Sequence, residues 1–420
     1  MELLHKACPS DTFGTPSGVA PRTGRAGRGA WLLAAIVWSG LGLPGTGVAG
    51  SAALGQSLPQ AITERAGPLS ASDIQTVREH VERQASRLDA EALTGEAIRS
   101  ARDALLTPLQ GTNVTVAFRN EYGRQLEPSL QKWITSGRDV LVFNALRVAG
   151  EIATEGTAPL LLPHLSAPSP ATRYAAAFAT GAAFDAASRG SPAIQRDTAF
   201  RLIDALGAQL RTETDLAVVD RLALSLISAS RADAQLPGTR ALALQRLGES
   251  LSSRIPPVKG GDARRELSAE ELMVMTRAGD AMRDALSGVG GDRLLPGNDA
   301  ARGAIKAVAG FGGDLVAYVV RHLKQETWPP IKGSDSDGVK GERRAARDLP
   351  ASLMNLGELI VYFARVNNGE ANAPQTKLSE RVKAAQLAED ARVAEDAKAM
   401  IGENGALVRQ FGFPASRFAS

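Results

Sequence analysis

The chain has 420 residues, 44% of them hydrophobic and only 5% aromatic, with 42 glycines and a formal net charge of +3. That is enough apolar chain for a sizeable core, and the scarcity of rings favours helices packed closely through small residues over a few large aromatic clusters. The sequence pI of about 9.1 does not point to nucleic acid, because residues 1–57 hold +2 of the charge and the remainder alternates in sign, without a basic stripe or interleaved rings.

Residues 1–57 read as an N-terminal extension and signal peptide, so the protein is expected to be exported, periplasmic or secreted. Arg22, Arg25 and Arg28 precede an apolar run from Ala30 to Leu43, Pro44 interrupts it, and Ala53-x-Gly55 offers a cleavage position. The run is short for a bilayer, which leaves an uncleaved anchor as the alternative. No adjacent Arg pair is present, so general secretion fits better than the twin-arginine route. Residues 1–20 lengthen the charged region awkwardly, which raises a translation start near Val19. The one cysteine, Cys8, falls here, so a mature chain from about Gln56 has no thiol, disulfide or Cys-based metal site.

Residues 58–127 form an N-terminal helical region. Ser72 with Gln75 three positions on is read as a capping box, and Ile74, Val77, Val81 and Leu88 fall on one side of the helix that follows. The stretch GTNVTVAF, residues 111–118, alone has some strand character and is read as a loop or local extension, since one short strand makes no sheet.

Between Pro128 and Leu323 a repeat emerges. Aligning Gly150 with Gly181 places Leu146 on Ala177, Val148 on Ala179 and Ile152 on Ala183, a period of 31. DVLVFNALRV from Asp139 matches DLAVVDRLAL from Asp215 in apolar pattern. Residues 304–323, AIKAVAGFGGDLVAYVVRHL, echo the helix pair of residues 145–165, Gly310 answering Gly150 and His322 answering His164. The triplet ending at Asp262, Asp292 and Asp314 is read as punctuation, a Gly that ends one helix beside an Asp that caps the next. Such a period belongs to helix-pair solenoids, in which each unit buries its open face on a neighbour.

At SPATRYAAAFATGAAF, with Pro170, Arg173, Ala176 and Gly181, the chain resembles the first helix of HEAT-like repeats, of the armadillo-type α-solenoid superfamily, especially the short kind of phycobilisome-lyase-type proteins. It departs where that family often has Asp before the proline, since Ser169 stands there. The resemblance implies an all-α, HEAT-like α-solenoid of stacked antiparallel helix pairs, and brings no catalytic residue with it.

Residues 324–350 read as a long flexible loop, because Pro329-Pro330, the glycines and a Ser/Asp run forbid a regular element. Trp328, Arg343 and Arg344 are the candidate partner-binding residues: an exposed Trp beside a mobile basic loop is a natural anchor, and burial of the ring on the preceding helix is the plainer alternative. Residues 351–420 are read as C-terminal helices. KLSERVKAAQLAEDARVAEDAKAMI is expected to be one exposed capping helix, because too few large apolar residues recur for a coiled-coil seam.

Chemistry finds little support. Ser129 and Lys132 match S-x-x-K, and Lys259 stands before two glycines, but the α/β context and the intermediate S-x-N are missing. Asp335, Asp337 and Gly338 resemble part of a calcium loop, yet with Gly338 as its sixth residue the first is Gly333 and the twelfth Arg344. His80, His164 and His322 have no partner at zinc spacing, and capping or surface roles are expected. Met275, Ala278 and Met282 share a helix face as core. No Walker loop, dinucleotide fingerprint or nucleophile elbow occurs. No catalytic, cofactor or metal residue is therefore assigned. The expectation is an exported, non-catalytic helical-repeat scaffold that binds another cell-envelope protein. The alternatives are a structural envelope component held by an uncleaved signal anchor, or an enzyme whose site gathers residues such as Arg119, Glu121 and Tyr122.

Overall fold

Short polar side chains standing ahead of apolar runs set where the helices begin. In the computed structural model, which describes residues 57–89, 94–190, 192–256, 266–289, 291 and 293–418, Thr94, Thr115, Ser169, Asp215, Ser268, Asn298 and Ser336 each accept a hydrogen bond from a backbone N–H of the first turn. Such a cap is worth about 1 kcal/mol. The signal features, Cys8, Lys259, Asp262 and Asp292 lie outside the described residues.

Regular structure among the described residues is helical, and the one β contact is an isolated parallel bridge between Thr154 and Ala193. A single turn, α1 (Gln60–Thr63), precedes α2 (Ala71–Asp89), α3 (Gly95–Leu106) and α4 (Val116–Ile134). Next come α5 (Asp139–Ile152), the short α6 (Leu162–Leu165), α7 (Pro170–Ser188), α8 (Arg196–Thr212), α9 (Leu216–Arg231), α10 (Thr239–Arg254), α11 (Ala269–Ser287) and α12 (Asp299–Lys324). The remaining helices are α13 (Asp337–Ala346), α14 (Asp348–Asn367), α15 (Leu378–Ala384), α16 (Leu387–Ile401) and α17 (Ala406–Phe411). Helices two apart in the chain lie side by side: α5 on α7, α7 on α9, α8 on α10 and α10 on α12. One row runs α5, α7, α9, α11, α14 and the other α6, α8, α10, α12, α16, with α3 flanking α5 at the start of the first row.

A continuous apolar core lies between the rows, with Phe184, Leu222, Leu247, Met282 and Phe311 buried in it. Each large apolar side chain so buried contributes about 1.5–3 kcal/mol. The expected pairing of Met275, Ala278 and Met282 on one buried face is present. Helix α12 is long and apolar enough to cross a membrane, but here its flanks are taken by α10, α14 and α16.

The repeated glycine has a different reason from a helix stop. Gly150 lies inside α5 and Gly181 inside α7. A Cβ on Gly150 would stand 2.3 Å from the carbonyl oxygen of Ala179, and one on Gly181 would stand 2.9 Å from Ser225 Oγ. Each glycine lets the next helix of its row approach closely, which is why the two align in sequence.

Several expectations are corrected. Residues 304–323 form no helix pair, since α12 runs through them unbroken, and Gly312-Gly313-Asp314 sits mid-helix. Gly312 and Gly357 make room for each other's helices, a Cβ on Gly357 falling 2.8 Å from the Gly312 carbonyl oxygen. The first capping box is Ser70 with Asp73 instead of Ser72 with Gln75: the Ser70 hydroxyl accepts from Asp73 N–H at 3.2 Å, and the Asp73 carboxylate accepts from Ser70 N–H at 2.9 Å. Val116–Phe118 open α4, and that helix carries Pro128 in its interior, so the boundary at residues 127 and 128 falls within an element. The segment 324–350 is no free loop. It contains α13, and its earlier part is tied down where Ile331 N–H donates to the Ala385 carbonyl at 2.7 Å. The C-terminal stretch is two helices broken at Ala385, which takes φ 54°, and α16 buries Asp390, Val393, Ala397, Met400 and Ile401.

Candidate functional site

The outward stripe of the first row is set by helical spacing. On α5 it carries Val140, Asn144, Arg147 and Glu151, on α7 Tyr174, Phe178 and Asp185, on α9 Arg221 and Leu224, and on α11 Met273 and Arg277. Contacts join these stripes across the row. Arg147 lies over the Phe178 ring at 5.7 Å and Arg221 at 5.0 Å, so guanidinium groups from α5 and α9 flank one ring on α7. Arg221 also lies over Tyr174 at 5.3 Å and donates to its hydroxyl at 3.1 Å. Asp220 and Arg277 pair at 2.6 Å between α9 and α11.

A stacked guanidinium uses its face and leaves its N–H edge for an acceptor. The Nε–H groups of Arg147 and Arg221 are shielded from solvent and reach no acceptor among the described residues. Among those residues no carboxylate pairs with either arginine, the nearby Glu151 being engaged by Arg189 at 3.5 Å. A depression of about 140 Å³ beside Phe178 and Arg221 reaches Asp185 and Arg189. Val140 and Met273, 49% and 56% exposed, add apolar surface to the row.

The opposite row presents neutralised charge. Arg246 joins Asp204 at 2.8 Å and Glu249 at 3.1 Å. A groove of about 820 Å³ between α10, α12 and residues 413–417 is closed at one side by Arg417, which reaches Asp314 at 2.7 Å and Ser252 at 3.2 Å. Burial pushes the Asp314 carboxyl above its ordinary value, against the pull of Arg417. Arg246 and Arg417 are thus each paired with a carboxylate, whereas Arg147 and Arg221 beside Phe178 are paired with none among the described residues.

No protein-family description matches the chain, and no curated protein matches it. Among solved structures, an engineered protein from the Northeast Structural Genomics Consortium is similar at 15% identity over 78% of this chain and 85% of that chain, with a TM-score of 0.28. A likeness that low carries no argument.

The expected partner-binding residues are placed as follows. Trp328 is half-buried, its ring 5.4 Å from that of His322 and 6.3 Å from that of Tyr318. Arg343 is held by Asp335 at 3.0 Å and by the Pro330 carbonyl, whereas Arg344 stands on α13 as an exposed side chain. The ring thus packs against His322 and Tyr318, as in the plainer alternative, and the segment that follows it is tied down at Ile331.

The residues considered for catalysis do not converge. Arg119 donates to the carbonyls of Glu151 and Ile152 at 2.7 and 3.3 Å, Glu121 is held by Arg124 and Gln125, and the buried Tyr122 hydroxyl donates to the Leu105 carbonyl at 2.8 Å. Lys132 pairs with Asp89 at 2.8 Å instead of serving Ser129. Asp335 and Asp337 are paired with Arg343 and Lys340. His164 is half-buried on α6, and His322 is buried, contrary to a surface role, with Nδ1 2.9 Å from the Thr327 hydroxyl. His80 is buried as well. Among the described residues no cluster of three or more His, Cys, Asp and Glu side chains is placed to hold a metal ion.

The Arg147, Phe178 and Arg221 cluster was missed because Phe178 sits in an alanine-rich helix and reads as core. The available signal was Tyr174 and Phe178 one turn apart on the side opposite Ala176 and Ala183.

Proposed function

We propose that the protein is an exported, non-catalytic scaffold of HEAT-like kind, whose two helix rows form a solenoid of antiparallel pairs and whose first row docks another cell-envelope protein. The supporting observation is the ring of Phe178 flanked by Arg147 and Arg221, which spans three successive helices of that row. Aromatic and Arg side chains are the residue types that most often dominate binding energy at protein interfaces. A stacked repeat suits this use, because side chains from successive units line one extended face.

The test is photo-crosslinking in the producing cells, with the reactive side chain in place of the exposed Val140 on the first row and, separately, of Asp204 on the second. The expected result is reproducible capture of one envelope protein from Val140, abolished by Phe178→Ala while circular dichroism stays helical. Capture from Asp204 alone, or capture indifferent to Phe178→Ala, overturns the reading.

A further inference from the structure

Two guanidinium groups lie over the Phe178 ring, neither of them paired with a carboxylate among the described residues, and each keeps a shielded Nε–H without an acceptor there. The ring attracts both cations but neutralises neither. An anion placed against their outer Nη–H groups, which are not among the shielded atoms, would offset this unpaired positive charge, and a carboxylate matches a guanidinium with two parallel hydrogen bonds.

The surroundings narrow the anion further. Glu151, Asp185 and Asp220 are interleaved with the arginines along the same row. A continuous polyanion such as nucleic acid would meet those carboxylates at every step, whereas a segment with spaced acidic groups would not. Apolar surface also borders the site, in Tyr174, Leu224 and, farther along the row, Val140 and Met273. The occupant therefore needs both carboxylates and apolar side chains.

We infer that the Arg147, Phe178 and Arg221 cluster is a carboxylate clamp for an acidic segment of a partner protein, with the segment's Asp or Glu on the guanidinium edges and an adjoining apolar side chain beside Tyr174. This rests on the scaffold reading and assigns the chemistry of its partner. Arg147 and Arg221 select the acid, and the rings select its apolar neighbour.

The test uses the exported protein and a fluorescent peptide carrying Glu-Leu-Glu triplets, with its Gln-Leu-Gln analogue and vesicles of anionic phospholipid as competitors. The Glu peptide is expected to bind about ten-fold more tightly than the Gln analogue, equivalent to about 1.4 kcal/mol. Arg147→Gln with Arg221→Gln, checked for unchanged thermal unfolding, is expected to abolish that preference. Equal binding of the two peptides, no measurable binding of either, or a preference that survives the double variant overturns the clamp. Tighter binding to the vesicles than to the peptide overturns it in favour of a membrane surface. Crosslinking from Val140 reads the scaffold separately, so a captured partner without acid preference refutes the clamp alone.

Discussion

Arg347, just ahead of α14, and Asp390 on α16 meet through two parallel hydrogen bonds of 2.7 and 2.8 Å, with the arginine side chain fully enclosed and the aspartate 7% exposed. The pair fastens α16 to the turn between α13 and α14. Removing one partner strands the other charge away from water, so Asp390→Ala is expected to lower stability by about 3–5 kcal/mol in urea unfolding. Arg347→Met combined with Asp390→Leu should recover most of that loss. A single variant that unfolds at the wild-type midpoint would refute this account.

Glu213, between α8 and α9, accepts hydrogen bonds from Nε and Nη2 of Arg173 at 2.6 and 2.7 Å, from Gln209, and from the backbone N–H groups of Thr214 and Asp215. Although burial raises its pKa, these donors outweigh burial and hold the carboxyl at about 2, below its ordinary 4.5. The folded state therefore binds this proton less readily than the unfolded chain does. Its contribution is fully present above 4.5 and lost as pH falls towards about 2. Glu213→Gln should reduce stability at neutral pH and flatten the acid limb of the stability profile. An unchanged limb would show that the anion contributes nothing.

His322 titrates in the opposite chemical sense with the same direction of stability. Burial disfavours its cation, and the charge of Arg321 adds to that, against Glu266, so its pKa lies below the ordinary 6.5. Stability should be complete above 6.5 and decline as pH falls through the folded value, because only the unfolded chain takes the proton readily. His322→Gln is expected to shrink this decline between neutral and mildly acidic buffer, measured by urea midpoints. Equal slopes for the two proteins would exclude His322 as the source.

Gly150 is a steric prediction. With the Ala179 carbonyl oxygen 2.3 Å from where a Cβ would lie, Gly150→Ala forces α5 and α7 apart and should destabilise by about 1–3 kcal/mol, despite the better helix propensity of alanine. Gly67, with nothing within 4 Å of its Cβ position, supplies the control: Gly67→Ala should be close to neutral in thermal unfolding. Reversal of that order would remove the close-approach explanation for the repeated glycine.

Much of the helical architecture was legible because local signals and packing agreed. Asp139 and Asp215 both mark the starts of helices in the first row, and Met275, Ala278 and Met282 form core as their spacing predicts. Gly312-Gly313 misled because two glycines read as a stop, whereas in α12 their missing side chains admit Ile360 on one side and Leu407 and Phe418 on another. Residues 324–350 misled because glycine lowers helix propensity without forbidding a helix: a Ser336 cap starts α13, which carries Gly338 and Gly341 inside it. The Phe178 cluster was hidden for another reason. Its members come from α5, α7 and α9, and no local pattern reports a meeting of three helices.

The segment from Phe411 to Phe418 bears on solubility. Phe413 and Arg417 stand against Gly310, and Phe418 against Gly313, so this segment occupies a flank of α12 that helix backbones could otherwise approach as closely as α10 does at Gly248. Uncovered, that flank would offer small-residue, apolar surface to any passing helix, including one from a second copy, and head-to-tail association has no geometric stop unless the rotation closes a ring. The aromatic side chains of this short stretch thus cover close-approach surface on α12 as well as adding to the core.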